Sequence, residues 1–365
     1  MNYFDELLQN FIKIDRKSIK RADVLSLAKQ CNPHIENAIF VCRGGESVVF
    51  MGVDKILDRF IIIKILLPKI DGKDKQRLFR GLGIQQKMHG IMTSALVPDI
   101  FSYRFDQSPY VEMQYLKGVD FMSYVLPLSK KKKFEMLLAL AKALDEIHRY
   151  GVVHSDFKSE NILVTESGEI VVLDWSMAVE LERPDARLTR IGEMFGTEQT
   201  SAPEQLDGRA MERDYRSDIY SFGTIFYSCL TGKYAKKNPV GHTFDETLLT
   251  LAETEFLHVC TNPDTALRYQ NTYLMIEGLK MLLAESEEQK IGFADESNAE
   301  INSLGEPMYE AFLNSQNELN IVPPAALENI EIAQVSETPQ ARTRREELFI
   351  NALRDGQEIL KKEKL

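Results

Sequence analysis

The sequence predicts an α+β fold in two lobes: a small antiparallel β-sheet lobe, a larger and mainly helical lobe, and extra helices at both termini. Three observations predict it. Between residues 37 and 115, short runs rich in Val, Ile and Phe alternate with turn residues. From residue 134 onward, apolar residues recur at three- and four-residue spacing. The length of 365 residues, with 44% hydrophobic and 27% charged content, is a globular balance that can bury more than one core.

Taken in order, residues 3–30 read as two short helices, with Phe4, Leu7, Leu8 and Phe11 at helical spacing, then Val24, Leu25 and Ala28. The strands "AIFVC", "SVVFMGV", "RFIIIKILL" and "PYVEMQYL" follow, interrupted by a helix over residues 75–92. The stretch "FEMLLALAKALDEIH" is a strong amphipathic helix over 134–148. "NILVT" and "EIVVLD" then form a hairpin through a Glu-Ser-Gly turn, and beyond Asp218 the chain reads as mostly helical to about residue 283. Residues 284–340 read as an acidic linker and 341–365 as a terminal helix. The expected domains are 1–36, 37–115, 116–283, 284–340 and 341–365.

Charge and cysteine usage exclude several classes. The net charge of −11 sits entirely in residues 284–340, which hold twelve acids and one base, so the remainder balances. A globally acidic chain is a poor nucleic-acid binder, and the lysine run at 130–133 reads as a solvated helix start. Four cysteines, Cys31, Cys42, Cys229 and Cys260, lack paired spacing, which suits a reducing compartment. The longest apolar runs contain charges and are too short to span a bilayer, and the N-terminus lacks a secretory pattern. The expectation is a cytoplasmic protein, with export as an effector left open.

The chemistry-bearing stretch is "GVVHSDFKSENILVTESGEIVVLDWS", residues 151–176. A hairpin returns Asp174 beside Asn161, so an amide and a carboxylate can share a hard divalent ion. Asp156 then lies where a carboxylate accepts the proton of an attacking hydroxyl. Taken singly the residues are ordinary. Asp156 and Asn161 read as turn residues, Lys64 as a snorkelling edge-strand lysine, Asp218 as a helix N-cap and His154 as a core histidine.

Together they resemble the catalytic loop and metal-binding turn of the eukaryotic-type protein kinase family, in a divergent, bacterial-like serine/threonine form, and further matches follow in the family's order. "CRGGESVV" at 42–49 resembles the glycine-rich loop, with Gly44, Gly45 and Val49 at the nucleotide. Lys64 in "IIIKIL" sits at the position of the lysine that contacts the α- and β-phosphates. "MQYLKGVDF" resembles the hinge, with Met113 as gatekeeper, Gln114 and Leu116 at the adenine, and Asp120 and Leu163 also lining the nucleotide. "SAPE" closes the activation segment at Ala202, Pro203 and Glu204, Asp218 matches the brace of the catalytic loop, and Arg268 matches the partner of Glu204. The resemblance implies a bilobal protein kinase-like fold, ATP with Mg²⁺ or Mn²⁺ as cofactors, and a Ser/Thr-bearing protein substrate. It implies Asp156, Lys158 and Lys64 as catalytic residues and Asn161 and Asp174 as metal ligands. Lys158 and Thr197 point to Ser/Thr specificity.

The departures matter as much. Cys42 and Ser47 stand where the phosphate loop has glycines, and Ile62 stands where a small alanine faces adenine. No acid lies between Asp74 and Asp99, which puts Gln85 or Gln86 opposite Lys64 in place of a glutamate. Ser155 replaces the arginine before the catalytic aspartate, so activity is expected not to require phosphate on the activation loop, Thr189 included. Trp175 and Ser176 replace Phe-Gly after the metal aspartate, which suggests packing beneath the helix that carries Gln85 and a stiffer turn. Two other readings compete with the active kinase: a pseudokinase acting as a nucleotide-binding scaffold, and a small-molecule phosphotransferase. Residues 202–204, Asp218 and Arg268 argue against the second. The acidic segment and terminal helix are candidate partner sites, and residues 3–30 are candidates to replace the missing restraint on Lys64.

Overall fold

This computed structural model describes residues 8, 20–43, 47–67, 72–105, 109–181, 199–206, 214–238 and 241–292. Gly44, Gly45, Thr189, Thr197, the first of the two helices expected in 3–30 (apart from Leu8), residues 293–340 of the expected linker 284–340 and the terminal helix 341–365 lie outside the described residues, while residues 284–292 continue the helix Thr272–Gly292 instead of opening a linker. The chain divides into two compact units, one of residues 1–86, 98–116 and 312–365, the other of residues 87–97 and 117–311.

The first unit is a five-stranded antiparallel sheet of β1 (Ile35–Arg43), β2 (Ser47–Asp54), β3 (Arg59–Leu66), β4 (Ile100–Arg104) and β5 (Tyr110–Gln114), in the order β1-β2-β3-β5-β4. Alternation along β3 sends Ile61, Ile63 and Ile65 to one face and Ile62 and Lys64 to the other. Helix α1 (Arg21–Cys31) covers the isoleucine face: Val24, Leu27, Ala28 and Cys31, with Leu8, share a buried cluster with Ile35, Val48, Phe50 and those isoleucines. Asn32, which caps α1, donates to two buried carboxylates on the same side, Asp54 Oδ2 at 3.2 Å and Glu112 Oε2 at 3.1 Å. Burial, reinforced by Asp54, raises the Glu112 carboxyl pKa despite the Asn32 bond and the nearby Arg59. The opposite side carries a second cluster, in which Leu78 and Leu82 of helix α2 (Gly72–Ile91) meet Leu66, Val111 and Ile100.

The second unit is mainly helical. Its framework is α3 (Phe121–Val125), α4 (Lys130–Arg149), α5 (Pro203–Leu206), α6 (Tyr215–Thr231), α7 (Leu251–Cys260) and α8 (Thr272–Gly292). Strands β6 (Val119–Asp120), β8 (Ile162–Val164) and β9 (Ile170–Val172) form one small antiparallel sheet in the order β6-β8-β9. Two ribbons pair β7 (Val152–Val153) with β10 (Val179–Glu180), and β11 (Lys236–Asn238) with β12 (Gly241–Thr243). Gly223 lets α6 approach α7 closely, since a Cβ there would meet Thr261 Cγ2 at 2.6 Å and Cys260 Cβ at 2.7 Å. No helix of the described residues is long and apolar enough to cross a membrane.

Several elements differ from the sequence expectation. Strand β4, the ribbons and β6 were not expected, because runs of two to five residues carry too little periodicity to stand out. The helix at 134–148 begins four residues earlier, so the lysine run is its first turn. Lys130 pairs with Glu253 at 2.7 Å, Lys132 with Glu135 at 2.6 Å, and burial lowers the Lys133 pKa. Asp218, which taken singly reads as a cap, lies buried inside the helix as its resemblance to the loop brace implied, while Asp214 caps α6 by accepting from Arg216 N at 2.8 Å. Lys64 lies on a central strand, not an edge one. Burial pushes the Cys31 and Cys229 thiols up to about 12, so both behave as inert core residues.

Candidate active site

The hairpin of β8 and β9 assembles the chemistry. Its register pairs Ile162 with Val172, and beyond the last rung Leu173 N–H donates to the Asn161 carbonyl at 2.8 Å. Asn161 therefore sits beside the peptide that leads into Asp174. The Asn161 amide turns back and donates from Nδ2 to the Asp156 carbonyl at 2.9 Å and to Asp156 Oδ2 at 3.0 Å. Lys158 Nζ reaches the same Oδ2 at 2.9 Å. Asp156, Lys158 and Asn161 thus form one bonded cluster, with Asp174 a single residue from its edge.

Asp174 adopts a left-handed backbone, φ 51° and ψ 74°, that non-glycine residues seldom take, and its carboxylate accepts from Ser176 N–H at 3.4 Å. Trp175 opens a short 3₁₀ turn and is fully buried. Its indole N–H donates to the Val172 carbonyl at 3.2 Å, and its ring lies 5.0 Å from that of His154. His154 Nε2 bonds the Leu173 carbonyl at 3.0 Å, so tryptophan and histidine together fix the peptide before Asp174. These contacts lie within the hairpin and catalytic loop, which is what Trp175 packs against in the second unit.

The loop is braced from below. Asp218 accepts from His154 N and Ser155 N, both at 2.8 Å, and from the His148 ring at 3.0 Å. Arg268 meets Glu204 in a buried bidentate pair at 2.8 Å on both arms, and Ser217 Oγ donates to the same carboxylate at 2.8 Å. The resemblance assigned the pairing of Arg268 with Glu204. Sequence reasoning missed Glu146 of α4, a buried carboxylate that accepts from Thr93 N at 3.0 Å, Thr93 Oγ1 at 2.9 Å, Ser94 N at 2.8 Å and Ser94 Oγ. Burial pushes its carboxyl up, but the bonds from Ser94 and Thr93 outweigh that and hold it below the usual range. The only sequence signal was an acid on the apolar stripe of an amphipathic helix.

In the first unit, the register places Val49 opposite Lys64, Lys64 opposite Val111 and Ile62 opposite Met113. Cross-strand partners share a face, so Val49, Ile62, Lys64 and Met113 line one side of the sheet. Gln114 alternates to the other side, and its amide oxygen accepts from Asp99 N–H at 3.3 Å. Gln85, buried, donates to the Pro98 carbonyl at 2.9 Å, while Gln86 bonds Asp99 Oδ1 at 2.9 Å and Ile100 N at 3.2 Å. Both amides therefore anchor the start of β4. Helix α1 covers the face opposite Lys64 and so is not the element that restrains it. In the second unit Asp120 caps α3 by accepting from Ser123 N at 2.8 Å, and Leu163 pairs with Asp120 across β6 and β8. Leu116 is half-buried at the end of the first unit.

The donor set suits a hard cation. Asn161 spends its amide nitrogen on Asp156, which leaves its amide oxygen as the atom a cation would take, and Asp174 follows Leu173, whose N–H is held by the Asn161 carbonyl. Two protein oxygens would not complete the shell of a hard cation, so an ion held by them would need further oxygens such as those of substrate phosphates.

Comparison with known proteins agrees with the geometry. A family model described as "Protein kinase domain" matches residues 37–297. The chain is 30% identical over 199 residues to the probable serine/threonine-protein kinase PknB of Lactococcus lactis, covering 52% of this chain and 30% of that protein. It is 30% identical over 196 residues to the serine/threonine-protein kinase PknL of Mycobacterium tuberculosis, covering 53% and 48%. It is 28% identical over 197 residues to PknB of Mycolicibacterium smegmatis, covering 52% and 31%. The chain thus spans less than half the length of these curated relatives. With the braced catalytic loop, the buried pair of Glu204 and Arg268, and a family match over residues 37–297, the chain belongs to the protein kinase domain family.

Proposed function

We propose that the chain is a protein kinase that transfers the γ-phosphoryl of Mg-ATP to Ser or Thr hydroxyls, without requiring phosphate on its activation loop. The observation that carries this reading is the Asp156 carboxylate held by both Lys158 and Asn161 in a loop braced by Asp218. Asp156 orients the attacking hydroxyl and accepts its proton. Lys158 places positive charge beside it, where the transferred phosphoryl gathers negative charge. The family resemblance assigns nucleotide contacts to Lys64, Val49, Met113, Leu116, Gly44 and Gly45, and likewise to Asp120 and Leu163. Gln114 engages Asp99 through both its side-chain oxygen and its backbone N–H, so its contribution falls to the backbone carbonyl. Asn161 and Asp174 hold Mg²⁺, or Mn²⁺ in its place, which when bound neutralises the phosphate charge. Independence from loop phosphorylation is supported by Ser155, which offers no cation for a phosphate.

The test is phosphoryl transfer from labelled ATP to the full chain itself and to a generic Ser/Thr substrate. Asp156→Asn should lower the rate about 10²–10⁴-fold, Asp174→Ala should abolish the dependence on added Mg²⁺ along with the activity, and phosphatase pretreatment should leave the wild-type rate unchanged. Wild-type protein that transfers no label would overturn the reading. One observation favours a second reading, a nucleotide-binding pseudokinase: the amide in place of the helix glutamate, Gln85, is committed to Pro98.

A further inference from the structure

One fully buried side chain joins the end of the activation segment to the catalytic loop. Gln205 follows Glu204 in α5, and both ends of its amide are used. Its Nε2 donates to the Ser155 carbonyl at 2.8 Å, and its Oε1 accepts from Ala202 N–H at 3.2 Å. Ser155 is consequently gripped at both of its peptide groups, at N–H by Asp218 and at C=O by Gln205.

That grip has a reason. Ser155 has φ 66°, a left-handed conformation that costs a non-glycine residue energy and persists only where neighbours enforce it. Its own Oγ is buried and makes no hydrogen bond, so the side chain does nothing to hold the conformation. The carbonyl held by Gln205 lies in the same rigid peptide plane as the nitrogen of Asp156. Fixing that carbonyl fixes the direction in which the chain enters Asp156.

We infer that Gln205 is a positioning residue for Asp156, the link by which the activation segment orients the catalytic carboxylate. The inference rests on the kinase reading for its catalytic consequence, though not for its structural one. A bond to a backbone carbonyl does not depend on the residue type at 155 or on any phosphate. It therefore gives a physical basis for a catalytic loop that is set without a charged arginine.

The experiment uses the full chain with Gln205→Leu and Gln205→Glu, and reads backbone hydrogen exchange alongside kinetics. Leucine stays apolar and of similar bulk, one atom shorter, and removes both hydrogen bonds. The amides of His154 to Asp156 should then exchange at least about tenfold faster, while those of β8, β9 and α6 stay at wild-type rates. In the same variant kcat should fall about 10–100-fold with the KM for ATP within about twofold. Glutamate opposes its carboxylate to the Ser155 carbonyl, but regains a donor when protonated. Its kcat relative to wild type should therefore climb as pH is lowered from about 8 to about 5.5, which a change in packing alone would not produce. Unchanged exchange at 154–156, or exchange that rises across the whole second unit, would overturn the inference. If wild type transfers no phosphoryl, the kinase reading fails separately, and the exchange comparison still decides the role of Gln205.

Discussion

Single residues carry this site through their neighbours. Asp156 and Asn161 look like turn residues in isolation, and only the spacing of Asp156, Lys158, Asn161 and Asp174 made them legible as a set. Ser155 and Gln205 were not legible as partners, because the bond between them spans fifty residues and involves a backbone carbonyl. Glu146 was hidden for the same reason: its value lies in the Thr93 and Ser94 groups that converge on it. Its depressed carboxyl has a stated pH consequence. A carboxyl lowered in the folded state contributes stability that is present above its unfolded pKa of about 4.3 and is lost as pH falls through the folded value. Thermal unfolding of Glu146→Gln should therefore lose less stability than wild type between about pH 5 and pH 2.5, while being less stable than wild type at pH 7. Parallel acid limbs in the two proteins would contradict that assignment.

At the scale of elements, amphipathic helices and the long strands were readable, because fifteen-residue windows and period-two runs average out local noise. Strand β4 and the ribbons were not, being set by the partners they meet rather than by their own sequence. Helix α1 is the instructive case. Its apolar residues promised packing but not a place, and the sheet assigned it the isoleucine face of β3, away from Lys64. It is thus part of the core of the first unit, held by Leu27, Ala28 and the Asn32 bonds to Asp54 and Glu112. Leu27→Ala should cost about 2–5 kcal/mol in urea unfolding, the loss typical of a fully buried leucine and far above that of a loose extension. A loss below about 0.5 kcal/mol would mean that α1 is not integral to the sheet.

For the molecule as a whole, two readings are separated by ligand linkage. Anything that binds the folded chain stabilises it by mass action, by about 2.7 kcal/mol at a hundredfold excess over Kd. Mg-ATP should raise the melting temperature of the full chain, and ATP with a chelator should raise it less, because Asn161 and Asp174 offer oxygens that meet a nucleotide only through a cation. Asp174→Ala should remove the difference between the two conditions. A shift without phosphoryl transfer would favour the pseudokinase, and no shift at all would remove nucleotide from both readings. The sequence by itself determined the family, the order of the longer strands and helices and the chemical identities at Lys64, Asp156, Lys158, Asn161 and Asp174, since these are properties of spacing and side-chain type. Only the tertiary structure decided which face α1 covers, that Glu146 gathers the Thr93 and Ser94 groups, and that Gln205 holds the peptide entering Asp156. Those are outcomes of packing and hydrogen bonding between residues far apart in the chain, which local periodicity cannot encode.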